Sequence, residues 1–312
     1  MSAAAPHVIV SPGPVHAALT SWYHHAARDL PWRRRDCTPW GVLVSEAMLQ
    51  QTPVSRVVPR WQEWMRRWPE PKDAALAPVA EILTVWDRLG YPRRALRLRE
   101  AAQTIVDRHG GRVPETADEL RKLPGVGEYT AAAVACFAFE EPEVVVDTNI
   151  RRVLARLFAG QALPGKTYTA DQRRLARDVF PDPEADGGQL ACTWNIAAME
   201  LGALVCTARS PACSECPAAQ LCTWRLAGSP PPTEEQRTRA QSWAGSDRQV
   251  RGAIMAALRI GGVVERSDLL DGLPLPTVDL VQRRRCLESL LSDGLAEQQG
   301  ERVALPGAHS RC

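Results

Sequence analysis

The sequence predicts an all-α protein with a small C-terminal winged-helix-like module. Three observations carry that prediction. Apolar residues recur at helical spacing through most of the first 226 residues, and no convincing series of alternating strands interrupts them. A stretch rich in Pro, Gly and polar residues, 227–247, breaks the pattern and reads as a linker. Beyond it, 248–312 reads as three helices and a short hairpin. The length of 312 residues suggests about two domains.

Along the chain, Val15, Leu19, Trp22 and Ala26 lie at helical spacing. The segment 41–49 is apolar except for Glu46. Thr52-Pro53 reads as an N-cap and first-turn pair. After it, Val54, Val57, Val58, Trp61, Trp64, Met65 and Trp68 mark one helix face, whose tryptophans read as core rather than as a platform for stacked bases. Further helices are expected near 79–89, 95–108, 117–123 and 129–139. After Val144-Val145-Val146, Asp147 opens another, with Ile150, Val153, Leu154 and Leu157 facing inward, and one more spans 190–204. In the last segment Val250, Ile254, Ala257 and Leu258 mark a helix, Ser267 and Asp268 cap a second, and 278–290 forms a third. A hairpin at 296–305 turns at Gly300. This module reads equally as a winged helix or as a small docking domain without DNA contact.

No run of eighteen apolar residues occurs, and 1–14 lacks a basic start followed by an apolar stretch. The expectation is a cytoplasmic protein that meets no membrane. The net charge of +2 says little about partners. Lysine occurs only at Lys72, Lys122 and Lys166, and the preference for arginine fits a GC-rich genome. Locally, Arg88, Arg93, Arg94, Arg97, Arg99, Arg108 and Arg112 form a basic stripe. It reads either as phosphate-neutralising or as a solvated helix face.

Nine cysteines in such a protein point to metal or chemistry rather than disulfides. Cys206, Cys213, Cys216 and Cys222 fall in one short loop, spaced C-x6-C-x2-C-x5-C. Four thiolates suit zinc or an iron–sulfur cluster. Zinc sites usually pair their cysteines twice across a longer span, and only one short pair is present here. Leu123-Pro124-Gly125-Val126-Gly127 sits between two helices. Its glycines permit a tight turn and close backbone approach, and the following helix N-terminus suits a phosphate.

Two carboxylates stand out chemically. Two carboxyl groups of different pKa can divide acid catalysis and stabilisation of a developing cation between them. Glu46 is an acid in an apolar run, where burial would be costly without a partner; a salt bridge to an arginine is the plain alternative. Asp147 precedes a helix, and a helix N-cap is its plain reading.

Several stretches together resemble the MutY-type adenine DNA glycosylases of the endonuclease III, or helix-hairpin-helix, superfamily. These are Pro31-Trp32-Arg33, the run from Val44 to Thr52, Trp86 to Tyr91, Leu123 to Ala131 and Val146 to Arg156, together with the cysteine spacing. The resemblance covers about residues 14–225. It implies a two-lobed fold: a 4Fe-4S cluster domain from 7–34 and 146–226, a six-helix barrel with the hairpin at 35–145, the 227–247 linker and the 248–312 module. By analogy Glu46 protonates the adenine, Asp147 stabilises the oxocarbenium-like sugar, and Asn149 and Tyr129 orient them. Gln50, Gln51 and Tyr91 meet the opened base stack, with Gln51 and Tyr91 as wedge and gap filler. Gly125 and Gly127 approach the DNA backbone, Glu200 contacts the flipped adenine, and Cys206, Cys213, Cys216 and Cys222 hold a 4Fe-4S cluster.

Lyase-competent relatives carry a lysine where this chain has Tyr129, so the resemblance implies a monofunctional glycosylase. The implied partner is double-stranded DNA with adenine opposite 8-oxoguanine or guanine, met by a monomer at the nucleoid. A related thymine-excising group lacks the glutamate at position 46. Two departures bear on the opposing base. No Phe follows Phe180, so the Phe-Ser-His loop of a Nudix-like C-terminal domain is absent, and Asn195-Ile196 replaces the usual Asn-Gln.

Overall fold

Helical periodicity is realised as fifteen α-helices among the residues that the computed structural model describes, which are 10–236, 243–275 and 278–308. Up to the glycine hairpin they are α1 (Pro12–Ala26), α2 (Pro39–Leu49), α3 (Val54–Arg67), α4 (Pro71–Leu76), α5 (Val79–Trp86), α6 (Arg93–His109) and α7 (Ala117–Leu120). Then follow α8 (Glu128–Phe139), α9 (Thr148–Leu157), α10 (Ala170–Asp178), α11 (Gln189–Leu204) and α12 (Thr223–Leu226). The last segment adds α13 (Asp247–Gly261), α14 (Arg266–Asp271) and α15 (Leu280–Ser292). Caps fix several starts: the Thr38, Thr169, Ser246 and Asp279 side chains each accept a backbone N–H from the first turn of the helix they precede. Among the described residues no helix is long and apolar enough to cross a membrane.

The chain divides into two compact units. One comprises Met1–Asp29, Glu115–Asp118 and Glu128–Arg239; the other comprises Leu30–Pro114, Glu119–Gly127 and Ala240–Cys312. In the first, α1, α9 and α11 bury Val15, Leu19, Ile150, Val153, Phe158, Trp194 and Leu201. Gly202 on α11 is required there, because a Cβ would come within 2.7 Å of the Asn149 Cβ on α9. In the second unit, Trp64 and Trp86 are fully buried with Leu43, Met48, Ile82, Leu83 and Ile105. Trp64 meets Trp68 and Trp86 edge-on at 4.8 and 6.1 Å between centroids. Burying each such side chain contributes about 1.5–3 kcal/mol. These tryptophans are core, as their spacing predicts.

The segment after the linker contains three helices and the expected hairpin, and it adds a strand; Ser267 and Asp268 do not cap the second helix but lie inside it, after Glu265 at the cap position. β1 (Val263–Glu265), β2 (Glu297–Gln299) and β3 (Arg302–Ala304) form an antiparallel sheet in the order β1-β3-β2, with Val303 opposite both Val264 and Gln298. Leu258, Leu269, Leu287, Leu290 and Val303 fill its core. The buried Arg283 donates to the Leu270 and Leu275 carbonyls, both at 2.7 Å.

Three other local expectations are corrected. Thr52 does not cap α3; its hydroxyl donates to the Gln50 and Leu89 carbonyls, because Pro53 occupies the cap position. Helices α4 and α10 were not expected: the first is six residues long, and the second is strongly polar, which hides the helical period. The basic stripe also breaks up. Arg94 turns inward, Arg99 donates to the Ala77 carbonyl, Arg97 pairs with Glu100 and Arg93 with Asp293.

Candidate active site

Asp147 is the N-cap of α9, and it is more than a cap. Its Oδ1 accepts the Ile150 N–H at 2.6 Å, and its Oδ2 accepts from the Asn149 amide at 2.8 Å. The Arg152 guanidinium donates to Asn149 Oδ1 at 2.8 Å, to the Gly202 carbonyl at 2.7 Å and to the Cys206 carbonyl at 2.8 Å. Sequence adjacency on α9 thus becomes a chain of polar contacts from Asp147 through Asn149 to a buried cation. Burial pushes the Asp147 carboxyl above its ordinary value, and the Ile150 and Asn149 hydrogen bonds and the Arg152 charge pull the other way. When ionised, an acid so placed has its charge aimed by fixed donors, the property needed beside a developing positive charge.

The approach to Asp147 is fixed from α11. The Asn195 side chain, 1% exposed, accepts from the Val145 N–H at 3.4 Å and donates to the Glu143 carbonyl at 2.8 Å. Tyr129, at the start of α8, packs half-buried against Ala132, Ala133, Cys136, Val145 and Cys192. Glu200, fully buried on α11, receives three bonds from Arg28: its backbone N–H at 3.0 Å, Nε at 2.8 Å and Nη2 at 2.7 Å. Arg28, Arg152 and Gly202 shape the candidate site without being singled out by the sequence, and Asn195 stands out there only as a departure from the usual Asn-Gln pair. Their partners lie 172, 54, 53 and 50 residues away, and no local pattern signals such pairs.

In the second unit Glu46 lies on α2, 5% exposed among Val42, Leu43, Val44 and Met48. The loops near it carry the three predicted base-stack residues. Gln51 and Tyr91 hold positive φ angles of 55° and 46°, and the preceding Asp87 one of 43°. Gln51 is exposed and Gln50 half-buried, and Tyr91 is 48% exposed. Strained backbone of this kind costs about 1–3 kcal/mol per residue and gathers at functional positions. Gly125 has φ 77°, and a Cβ there would stand 2.7 Å from the Arg97 Cβ, so its close approach is to α6. Gly127 faces open space.

Cys206, Cys213, Cys216 and Cys222 line one small cavity with Arg156, Leu157, Leu201, Val205 and Trp224. All four thiols are free, and burial pushes Cys216 up to about 11. Among the described residues no group of three or more His, Cys, Asp or Glu side chains has metal-holding geometry. The donor set is nonetheless four soft sulfurs without a nitrogen or oxygen ligand, which suits iron–sulfur or zinc. The surroundings suit an anionic group. Arg156, 3% exposed, donates to the Cys206 sulfur at 3.2 Å and stacks over Trp224 at 4.8 Å, and Arg152 holds the Cys206 carbonyl.

Known proteins show matching patterns. Residues 44–177 match the HhH-GPD superfamily of base excision DNA repair proteins. The adenine DNA glycosylase of Mycolicibacterium smegmatis is 49% identical over 290 residues, spanning 93% of this chain and 95% of that protein. The adenine DNA glycosylase of Homo sapiens is 44% identical over 216 residues, covering 67% of this chain and 39% of the human protein. A solved thermostable thymine-DNA glycosylase superposes with a TM-score of 0.60 at 27% identity, covering 69% of this chain and 97% of that one.

Proposed function

Because this chain belongs to the adenine DNA glycosylases of the HhH-GPD base excision repair superfamily, we propose that it is a monofunctional enzyme acting on duplex DNA, where it hydrolyses the N-glycosidic bond of adenine mispaired with 8-oxoguanine or guanine. The observation that carries the catalytic part of this reading is the Asp147–Asn149–Arg152 chain, a half-buried carboxylate with both oxygens occupied by fixed donors. Asp147 stabilises positive charge on the sugar as the bond breaks. Glu46, buried in apolar surroundings, donates the proton that lets the base leave and then manages the attacking water. Asn149 and Tyr129 orient these groups. With tyrosine at 129 the chain has no amine there for a Schiff base with the sugar, and water is the nucleophile.

The adenine must leave the stack to be cleaved, at a cost of a few kcal/mol that a mispair reduces. Gln50, Gln51 and Tyr91 fill the space it vacates, and the hairpin glycines, Gly127 in particular, bring the backbone close to phosphate. Glu200, oriented by Arg28, is the candidate for contacting the extruded base. The four cysteines hold a 4Fe-4S cluster, which supplies a rigid anchor and local charge for the loop that Arg152 and Arg156 bind. The domain division proposed above, with cluster lobe, barrel, linker and module, goes with this reading.

Single-turnover excision from duplexes bearing A opposite 8-oxoguanine, A opposite G, and T opposite G tests the assignment. Adenine release is expected from the first two and none from the third. Glu46→Gln and Asp147→Asn are each expected to slow release by about 10²–10⁴-fold. Undiminished release in both variants would sink the catalytic roles. Bound iron and sulfide with visible charge-transfer absorption, lost in Cys213→Ser, is the expected cluster signature; zinc in their place would overturn it.

A further inference from the structure

Arg94 is a heavily engaged cation in the second unit, and the reaction as described makes no use of it. From α6 its Nη1 donates to the carbonyls of Ala47 at 2.7 Å and Met48 at 3.3 Å, where α2 ends one and two residues after Glu46. Its Nη2 donates to the Thr52 hydroxyl at 3.2 Å, the Leu89 carbonyl at 3.2 Å and the Gly90 carbonyl at 3.1 Å. The guanidinium lies over two rings, 5.2 Å from the centroid of Trp86 and 5.7 Å from that of Tyr91. All these partners are neutral. Burial pushes Arg94 down to about 10, which leaves it charged at neutral pH. A cation drawn inward against neutral partners is a costly arrangement to maintain.

What the cost achieves is visible in where the bonds go. They join three separate segments: the end of α2, the 50–52 turn and the 87–91 loop. Thr52 also ties the last two together: while its hydroxyl oxygen accepts from Arg94, its one proton is shared between the Gln50 and Leu89 carbonyls. Among the described residues, three of the five non-glycine positions with positive φ, Gln51, Asp87 and Tyr91, lie in just these two loops. Strained backbone persists only where its surroundings over-determine it, and the guanidinium fork binds both loops and the end of α2 together.

We propose that Arg94 is a positioning residue that couples Gln51 and Tyr91 into one two-pronged wedge, so that neither side chain opens the base stack without the other. The inference rests on the duplex-opening reading above. It assigns Arg94 a role in base extrusion and takes it out of any phosphate-binding stripe.

The test is a double-mutant cycle read by 2-aminopurine fluorescence. The probe is placed beside the mispaired adenine of an A:G duplex, and the full-length protein is added. In the protein with Arg94, Gln51→Ala and Tyr91→Ala together are expected to reduce unstacking no further, within about twofold, than the worse single variant. In an Arg94→Lys background, which keeps the charge and loses the fork, the two losses are expected to multiply. If Arg94→Lys does not fold, Arg94→Gln carries the same comparison, since it keeps hydrogen-bonding capacity on a shorter side chain and loses the fork that reaches both loops. A purely structural role for Arg94 lowers the melting temperature and leaves the coupling unchanged. That result, or losses that already multiply with Arg94 present, overturns the assignment. A wild-type protein that unstacks no duplex overturns the glycosylase reading and the wedge with it.

Discussion

Asp147 shows how one residue answers to two sets of physical demands. As an N-cap it satisfies the Ile150 N–H, and as a half-buried acid it carries a desolvation cost that its hydrogen bonds offset only in part. Its folded-state pKa therefore lies above the unfolded value. The folded protein binds that proton more tightly, so the residue favours folding at low pH, and the benefit is lost as pH rises from the ordinary aspartate value through the raised one. Asp147→Asn keeps a competent cap without the charge. It is expected to melt at the same or higher temperature than the wild type at pH 7, while adenine release collapses. The gain should shrink as the pH is lowered below the ordinary aspartate range, where the wild-type carboxyl is protonated in both states. Melting curves across pH check this, and a destabilised Asn variant at neutral pH would refute it. The same site shows what a sequence offers at this scale. The residue type and its place before a helix mark Asp147 as a cap, and an acid inside an apolar run marks Glu46. The Arg28–Glu200 pair has no such local signature. Arg94 reads as one more basic residue on a stripe, because sequence gives no sign of which way a long side chain turns.

At the scale of elements, the helices with a strong apolar period are legible, and the crossings between them are not. α3, α9 and α11 appear close to where their apolar residues place them. The short α4 and the polar α10 do not, because a helix of six residues or one rich in charge leaves no apolar stripe to count. The α9–α11 crossing depends on Gly202, which reads in sequence only as one more residue of an apolar helix. Here the backbone of α11 comes so close to Asn149 that a methyl group would overlap its Cβ and press on its carbonyl, 3.1 Å away. Gly202→Ala should therefore act against its ordinary helix-propensity gain of about 1 kcal/mol. Overpacking of about 1–3 kcal/mol is expected, with Asn149 displaced from Asp147. The measurable outcome is a lower melting temperature together with slower excision at unchanged duplex affinity. A stabilised and fully active Gly202→Ala protein would show that the crossing has slack.

At the scale of the whole molecule, the question is what the C-terminal module contributes. The match to the human adenine DNA glycosylase covers 67% of this chain, whereas the mycobacterial one covers 93%, so the segment beyond the linker belongs to the longer similarity. Within the second unit its contacts converge on the segment that carries Tyr91. Arg259 of α13, whose side chain is only 10% exposed, reaches Asp87 at 3.7 Å, and Arg60 of α3 reaches the same carboxylate at 3.9 Å. Asp293, just past α15, pairs with Arg93 at 3.4 Å and with Arg251 at 2.7 Å. Ion pairs this open contribute about 0–1 kcal/mol each, too little to hold a domain by themselves. They are enough to bias a loop whose residues 87 and 91 already sit in strained conformations. Arg259→Ala is therefore expected to leave the melting temperature nearly unchanged and to speed amide exchange across 87–91 by up to about fivefold, the equivalent of one lost pair. Exchange elsewhere in the barrel should stay the same. Hydrogen exchange followed by mass spectrometry resolves the two. Unchanged exchange at 87–91 would mean that the module rests beside the loop without restraining it. Faster exchange there would make the module a determinant of how firmly the 87–91 loop holds Tyr91, through Asp87.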